Sequence, residues 1–196
     1  MSAAAEVVLT ASGDDAESTL PWGVLAQLGS GTPAERAAPL RQLAKLTPEA
    51  DPLTAGRLLL DALGILAPRT LTVIVVEDVH WIDHLSAVAL RFALRRLSEE
   101  RVLVVLTTRP EGLMYSDDGW RRLLDDRGDR IRLAGLQPAE VAQLVSALGG
   151  ITLSPLAAAR LWRHASGTPF YIRCLTDELA PEVLAHPPGR CPLPVR

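Results

Sequence analysis

The sequence predicts an α/β fold built on a parallel sheet, and three features carry that expectation. Two short apolar runs, Leu71-Thr72-Val73-Ile74-Val75-Val76 and Val102-Leu103-Val104-Val105-Leu106, are rich in β-branched residues and too short for free-standing helices. Neither alternates with polar residues, which is the pattern of strands buried on both faces of a helix-covered parallel sheet. Between them, apolar residues at Leu85, Val88, Ala89, Phe92, Ala93 and Leu97 recur at helical spacing behind Asp83, a good N-cap residue. Strand, helix and strand within about thirty-five residues make a βαβ unit, for which a right-handed crossover is expected.

The flanking elements follow from punctuation. Val7-Val8-Leu9 reads as a short strand. Thr32-Pro33-Ala34-Glu35 is a capping box with proline at the first helical position, so a helix is predicted to run to about Leu46. A further helix is predicted from Thr54 to Leu66, and Ile131-Arg132-Leu133 has the composition of a last short strand. Beyond it the pattern is helical. Pro138 opens a helix with Val141, Leu144, Val145 and Leu148 on one face, ended by Gly149-Gly150. Ser154-Pro155 opens the next and Pro169 a third, while Pro187, Pro188, Pro192 and Pro194 mark the tail as linker. The expected organisation is an α/β part over 1–136, a small helical part over 137–180 and a proline-rich segment over 181–196.

Composition narrows the function classes. The formal net charge of −3 over 196 residues implies no polyanion partner by bulk charge. The basic residues are nearly all arginine, with Lys45 the lone lysine, a bias that fits a GC-rich genome as well as any function. No apolar run approaches the ~20 residues of a membrane span, and Glu6 interrupts any signal-peptide pattern. Cys174 and Cys191 lack metal-type spacing and read as reduced thiols of a cytoplasmic protein.

The most informative stretch is Val73-Ile74-Val75-Val76-Glu77-Asp78-Val79-His80-Trp81-Ile82-Asp83, where an apolar strand ends in two adjacent carboxylates. Buried and unpaired, they would be costly, so they call for a cation, hydrogen bonds or water. The C-terminal ends of parallel strands are where such sheets bind ligands. In nucleotide hydrolysis one carboxylate there holds Mg²⁺ and a neighbour polarises the attacking water. The same pair also suits solvated residues leading into the next helix. Asp83 fits helix N-capping better than direct chemistry, His80 fits packing or hydrogen bonding better than ligation, and Trp81 fits the core better than an adenine platform. At the second strand end, Thr107-Thr108-Arg109-Pro110 places an arginine suited to a terminal phosphate. It equally suits a surface arginine before a turn.

Together these pieces resemble the STAND class of AAA+-related ATPases, and within it the large ATP-binding regulators of the LuxR type, the MalT-like group. The stretch from Val73 to Asp83 resembles their Walker B segment, and Val104-Val105-Leu106-Thr107-Thr108-Arg109-Pro110 their sensor strand. Leu136-Gln137-Pro138-Ala139-Glu140-Val141 resembles the entry to their helical lid, and Leu20-Pro21-Trp22-Gly23-Val24-Leu25 the segment after their second strand. Gly167-Thr168-Pro169-Phe170-Tyr171 resembles their Gly-Asn-Pro-Phe motif, with Thr168 where asparagine is usual and Glu77 where the first acidic residue is often aspartate. The resemblance covers most of residues 6–180 in family order. It implies a P-loop NTPase-type sheet, ATP or ADP with Mg²⁺ as ligands if a phosphate loop is supplied and no cofactor otherwise, Glu77 on the metal and Asp78 on the attacking water. It further implies Thr108 and Arg109 near the γ-phosphate, and Gly167, Thr168 and Pro169 near adenine.

No Gly-x-x-x-x-Gly-Lys-Ser/Thr occurs in these residues, and Gly29-Ser30-Gly31-Thr32 carries no lysine. Phosphate loops work by aiming backbone N–H groups and a lysine at the phosphates. The fold expectation is therefore an incomplete sheet without the phosphate-loop strand, which the resemblance places between the strands at 72–76 and 102–106. Those two strands then pair with each other, expose edges, or take a strand from a second copy or partner. The tail Leu193-Pro194-Val195-Arg196 resembles the lead-in to a further segment, so a piece of a longer regulator is expected. DNA is then contacted only through a C-terminal helix-turn-helix outside these residues. The functional expectation is part of an ATP-binding signal-transduction and transcription-regulating module that does not hydrolyse ATP alone. The alternative is a non-catalytic remnant or interaction module.

Overall fold

A computed structural model describes residues 6–30, 40–66, 71–97, 101–109 and 118–185. The apolar runs form strands where the sequence predicts them: β1 (Glu6–Ser12), β2 (Leu71–Glu77) and β3 (Val102–Leu106). They make a three-stranded parallel sheet in the order β1-β2-β3. The first helix, α1 (Gly23–Ser30), follows β1, and α2 (Pro52–Leu66) precedes β2. The crossover from β2 to β3 is α3 (His84–Leu94), capped by Asp83 as its pattern predicts. A fourth helix, α4 (Asp118–Arg127), was not legible beforehand: only Trp120 and Leu123 of its charged sequence are buried. The Arg91 guanidinium lies 5.5 Å from the Trp120 ring centre and helps fix it.

Of the three arrangements open to the strands at 72–76 and 102–106, the sheet adopts the first. No strand intervenes between β2 and β3: they pair directly, Thr72 with Val102 through Val76 with Leu106. Among the described residues both outer edges of the sheet, those of β1 and β3, are without a pairing strand.

The expectation of strands covered on both faces is corrected as well. Helices α1, α2 and α3 cover one face, packing on Val7, Leu9, Ala11, Ile74 and Val76. The opposite face carries the cross-strand rows Val8–Val73–Leu103 and Thr10–Val75–Val105. On it Val8 is 49% exposed, Leu103 52% and Val105 39%. An apolar run encodes the demand for cover on both faces, whereas the described helices meet that demand on one. On the covered face, the Thr72 hydroxyl is buried without a hydrogen-bond partner among the described residues, so the one polar residue within the β2 run weakens that layer.

The chain divides into two compact units, Met1–Arg130 and Ile131–Arg196, against a boundary near residue 136 read from sequence. In the second, α5 (Pro138–Gly149), α6 (Pro155–Ala165), α7 (Pro169–Glu178) and α8 (Pro181–Ala185) follow one another. Val141, Val145, Ala158, Leu161, Ile172 and Leu184 form their shared core. The start and stop signals act as written: the Glu140 side chain closes a capping box on Gln137, Ser154 caps α6, and Gly150 ends α5 at φ 66°. Two expectations fail here. Residues 181–185 are helical where linker was predicted, because Leu184 buries itself in this core. Ile131-Arg132-Leu133 forms no strand: Ile131 and Leu133 are 87% and 90% exposed, and three residues gain too little from β-propensity alone to hold an extended ladder without a partner. The capping box at Thr32–Glu35 lies outside the described residues, and Leu40–Lys45 is a 3₁₀ helix.

Candidate functional site

The C-terminal ends of the three strands converge, as a parallel sheet requires. β1 runs out at Ser12 and Gly13, β2 at Glu77 and Asp78, and β3 at Thr107, Thr108 and Arg109. The ends are tied together by backbone bonds. Gly13 N–H donates to Glu77 O at 2.9 Å, Thr107 N–H to Val76 O at 3.0 Å, and Val79 N–H to Thr107 O at 2.9 Å. Gly13 is glycine for want of room: a Cβ there would stand 2.6 Å from Asp78 O. The Gln27 side chain from α1 finishes β1 by accepting from Ser12 N–H and donating to Ser12 O.

Glu77 is the last residue of β2 and shares its face with Val73 and Val75, the side of the sheet that the helices leave open. Asp78 then leaves the strand in the left-handed region, φ 47° and ψ 48°. Aspartate tolerates that conformation better than most residues, though at a cost. Its N–H donates to Thr107 Oγ1 at 3.2 Å, which holds the turn. The turn separates the two carboxylates, and the chain passes into a 3₁₀ helix over Val79–Trp81. The Asp78 side chain stays 46% exposed.

His80 is the residue whose part in this site the sequence understated. Its side chain is 8% exposed and its Nδ1 stands 3.9 Å from Asp78 Oδ1. The same nitrogen is 3.4 Å from Thr108 Oγ1, and the ring packs on Trp81 with centres 5.1 Å apart. His80 thus joins the end of β2 to the end of β3. Thr107 does so too, through both its hydroxyl and its carbonyl. Trp81 itself is 38% exposed, where the sequence placed it in the core.

Asp83 takes no part in the carboxylate cluster. It is 3% exposed, and its side chain accepts from Ser86 N–H (2.8 Å), Trp22 N–H (3.1 Å) and Val24 N–H (3.2 Å). Ser86 Oγ accepts from Leu25 N–H. One aspartate therefore caps α3 locally and α1 across the fold, holding Trp22 in its left-handed conformation at φ 67°.

The expected site residues fall into two groups. Glu77, Asp78, Thr108 and Arg109 belong to the first unit, at neighbouring strand ends, with Arg109 exposed. Gly167, Thr168 and Pro169 belong to the second. There Gly167 sits at φ 70° and Thr168 is the N-cap residue of α7, with Pro169 first in the helix. Among the described residues no three His, Cys, Asp or Glu side chains are grouped to enclose a metal. Among the described residues no helix is long and apolar enough to cross a membrane.

No family model and no curated protein matches the chain. Among solved structures it is similar to the AAA domain of FIGL-1 in complex with ADP, at 16% identity and a TM-score of 0.45, covering 90% of this chain. Two mutants of Thermotoga maritima RuvB align at 16% identity and a TM-score of 0.42, covering 89%. The chain spans 60% of the FIGL-1 chain and 54% of the RuvB chains. Likenesses of this size leave the family unassigned.

Proposed function

We propose that these residues are part of the nucleotide-responsive core of an ATP-binding signal-transduction regulator of the STAND, LuxR-associated type. The observation that supports this most is the pairing of Glu77 and Asp78 at the end of the central strand with Thr107, Thr108 and Arg109 at the end of its neighbour. Glu77 would face a hydrated Mg²⁺, Asp78 the water, and Arg109 the terminal phosphate. Bound ATP would supply the phosphoanhydride whose charge these residues read. A phosphate-holding lysine loop is not among these residues, so turnover by the 196-residue chain alone is expected to be negligible. Transcriptional control and DNA contact would belong to other parts of a longer regulator.

The test is Mg-ATP binding to the purified chain by calorimetry. Binding with a Kd on the order of micromolar is expected. Asp78→Asn should weaken it at least ~10-fold, about 1.4 kcal/mol, while leaving the fold intact because asparagine also tolerates the left-handed region. Chelating Mg²⁺ should have a similar effect. Binding untouched by either change would sink the assignment.

A second reading is an interaction module, favoured by the open apolar face at Val8, Leu103 and Val105. In it, a second copy of the chain covers that face. Sedimentation should then show a concentration-dependent dimer that Leu103→Lys with Val105→Lys converts to monomer. A wild-type chain that stays monomeric at 100 times the working concentration would remove this reading.

A further inference from the structure

We infer that His80 is a positioning residue, held with its proton on Nδ1, that ties the Asp78 carboxylate at the end of β2 to the Thr108 hydroxyl at the end of β3. The inference deepens the nucleotide reading and rests on it for its functional consequence, but the proton assignment stands on geometry alone.

Proton counting accommodates the assignment. The Thr108 hydroxyl has one hydrogen and lies 3.2 Å from Arg109 O and 3.4 Å from His80 Nδ1. Donated to Arg109 O, that hydrogen leaves Thr108 Oγ1 as the acceptor of an N–H on Nδ1. The carboxylate decides for it. A lone pair on Nδ1 would face the Asp78 Oδ1 charge at 3.9 Å and be repelled, whereas an N–H is attracted by it. Burial and the Trp81 contact hold the ring in place, so solvent does not average this geometry away. Placing the proton on Nδ1 leaves Nε2 as the acceptor, the reverse of the arrangement a free imidazole side chain favours.

The consequence is a mechanical link. Thr108 directly precedes Arg109, so a displacement of Arg109 at the end of β3 is passed to the His80 ring and from it to Asp78. The left-handed turn at Asp78 makes that residue sensitive to such support, because its backbone conformation is held by Thr107 and its side chain by His80.

The test begins with the wild-type chain and needs no variant to fold. Long-range ¹H–¹⁵N correlation of the histidine rings, at a pH where they are neutral, should show His80 with a protonated Nδ1 and an unprotonated Nε2. The His80 signal among the four histidines is identified by its loss in His80→Asn. The opposite pattern, or fast exchange between the two forms, overturns the inference. Thr108→Val together with Asp78→Gly removes both partners of Nδ1, glycine being free to adopt the left-handed conformation at 78, and should shift the ring toward Nε2–H; an unchanged spectrum also overturns the inference. For the functional consequence, asparagine places an N–H near the Nδ1 position and glutamine places one nearer Nε2. Mg-ATP affinity should therefore be close to wild type in His80→Asn and fall about 5- to 10-fold in His80→Gln. Equal affinities in the two variants overturn the link. A wild-type chain that fails to bind Mg-ATP sinks the nucleotide reading, while the ring spectrum still decides the proton assignment.

Discussion

Asp83→Ala is expected to lower the stability of the first unit by about 4 kcal/mol, more than any other substitution among the described aspartates. Its carboxylate accepts three backbone N–H bonds in a site that is 3% exposed. Alanine removes all three acceptors and leaves the amides of Trp22 and Val24 buried with no partner, at roughly 1–3 kcal/mol each. The loss at Ser86 adds an ordinary N-cap cost of about 1 kcal/mol. Relaxation and entering water recover part of the sum. Asp83→Asn should cost about half as much, since one oxygen remains but the amide NH₂ now meets a donor. Urea unfolding checks this: the midpoint should fall with little change in slope. Asp78→Asn, five residues away, should leave the midpoint nearly unmoved. Equal losses at the two positions would mean that the division between a structural and a functional aspartate is wrong.

That division shows what local sequence can and cannot convey. Asp83 as the N-cap of α3 was readable, because capping depends on three consecutive residues and a helical pattern behind them. Its second duty on α1 spans 59 to 61 residues and leaves no local trace. The limits of β3 came out as written because an apolar run of five, three of them valine, carries its own boundaries. The pairing of β2 with β3 was legible only as one of three open arrangements, because strand order is decided by which edges meet, and no residue in either strand names its neighbour. The open face at Leu103 and Val105 was concealed for a related reason: apolar strands look alike whether both covers are present or one. At the site, the carboxylate pair was legible as an abrupt change of polarity at a strand end. His80 was legible only as a hydrogen-bonding residue, since the partner that defines it, Thr108, lies 28 residues on.

The second unit offers the other large effect. Gly167→Ala is expected to destabilise it by about 3 kcal/mol or more. Two causes add. The left-handed conformation at φ 70° costs an L-residue about 1–2 kcal/mol. In addition, a Cβ would stand 2.3 Å from Leu136 O and 2.9 Å from Leu136 N, far inside contact distance. The opposing atoms are backbone, and Leu136 N–H already donates to Gly167 O at 2.8 Å, so neither strand of chain can retreat without breaking that bond. Gly135 answers from the other side, its own Cβ position lying 2.8 Å from Ser166 O. Amide hydrogen exchange on the full chain should show lost protection across α5, α6 and α7, with β1 to β3 unaffected. The neighbouring Thr168→Asn should do the reverse. Thr168 is the N-cap residue of α7 and its side chain makes no capping bond, so asparagine, the better cap, should add up to about 1 kcal/mol. If Gly167→Ala left exchange unchanged, the close approach to Leu136 would have to be dispensable. If protection is lost as expected, the glycine of this motif is explained by backbone packing with no ligand present, and a role near adenine must then be argued from Thr168 and Pro169 alone.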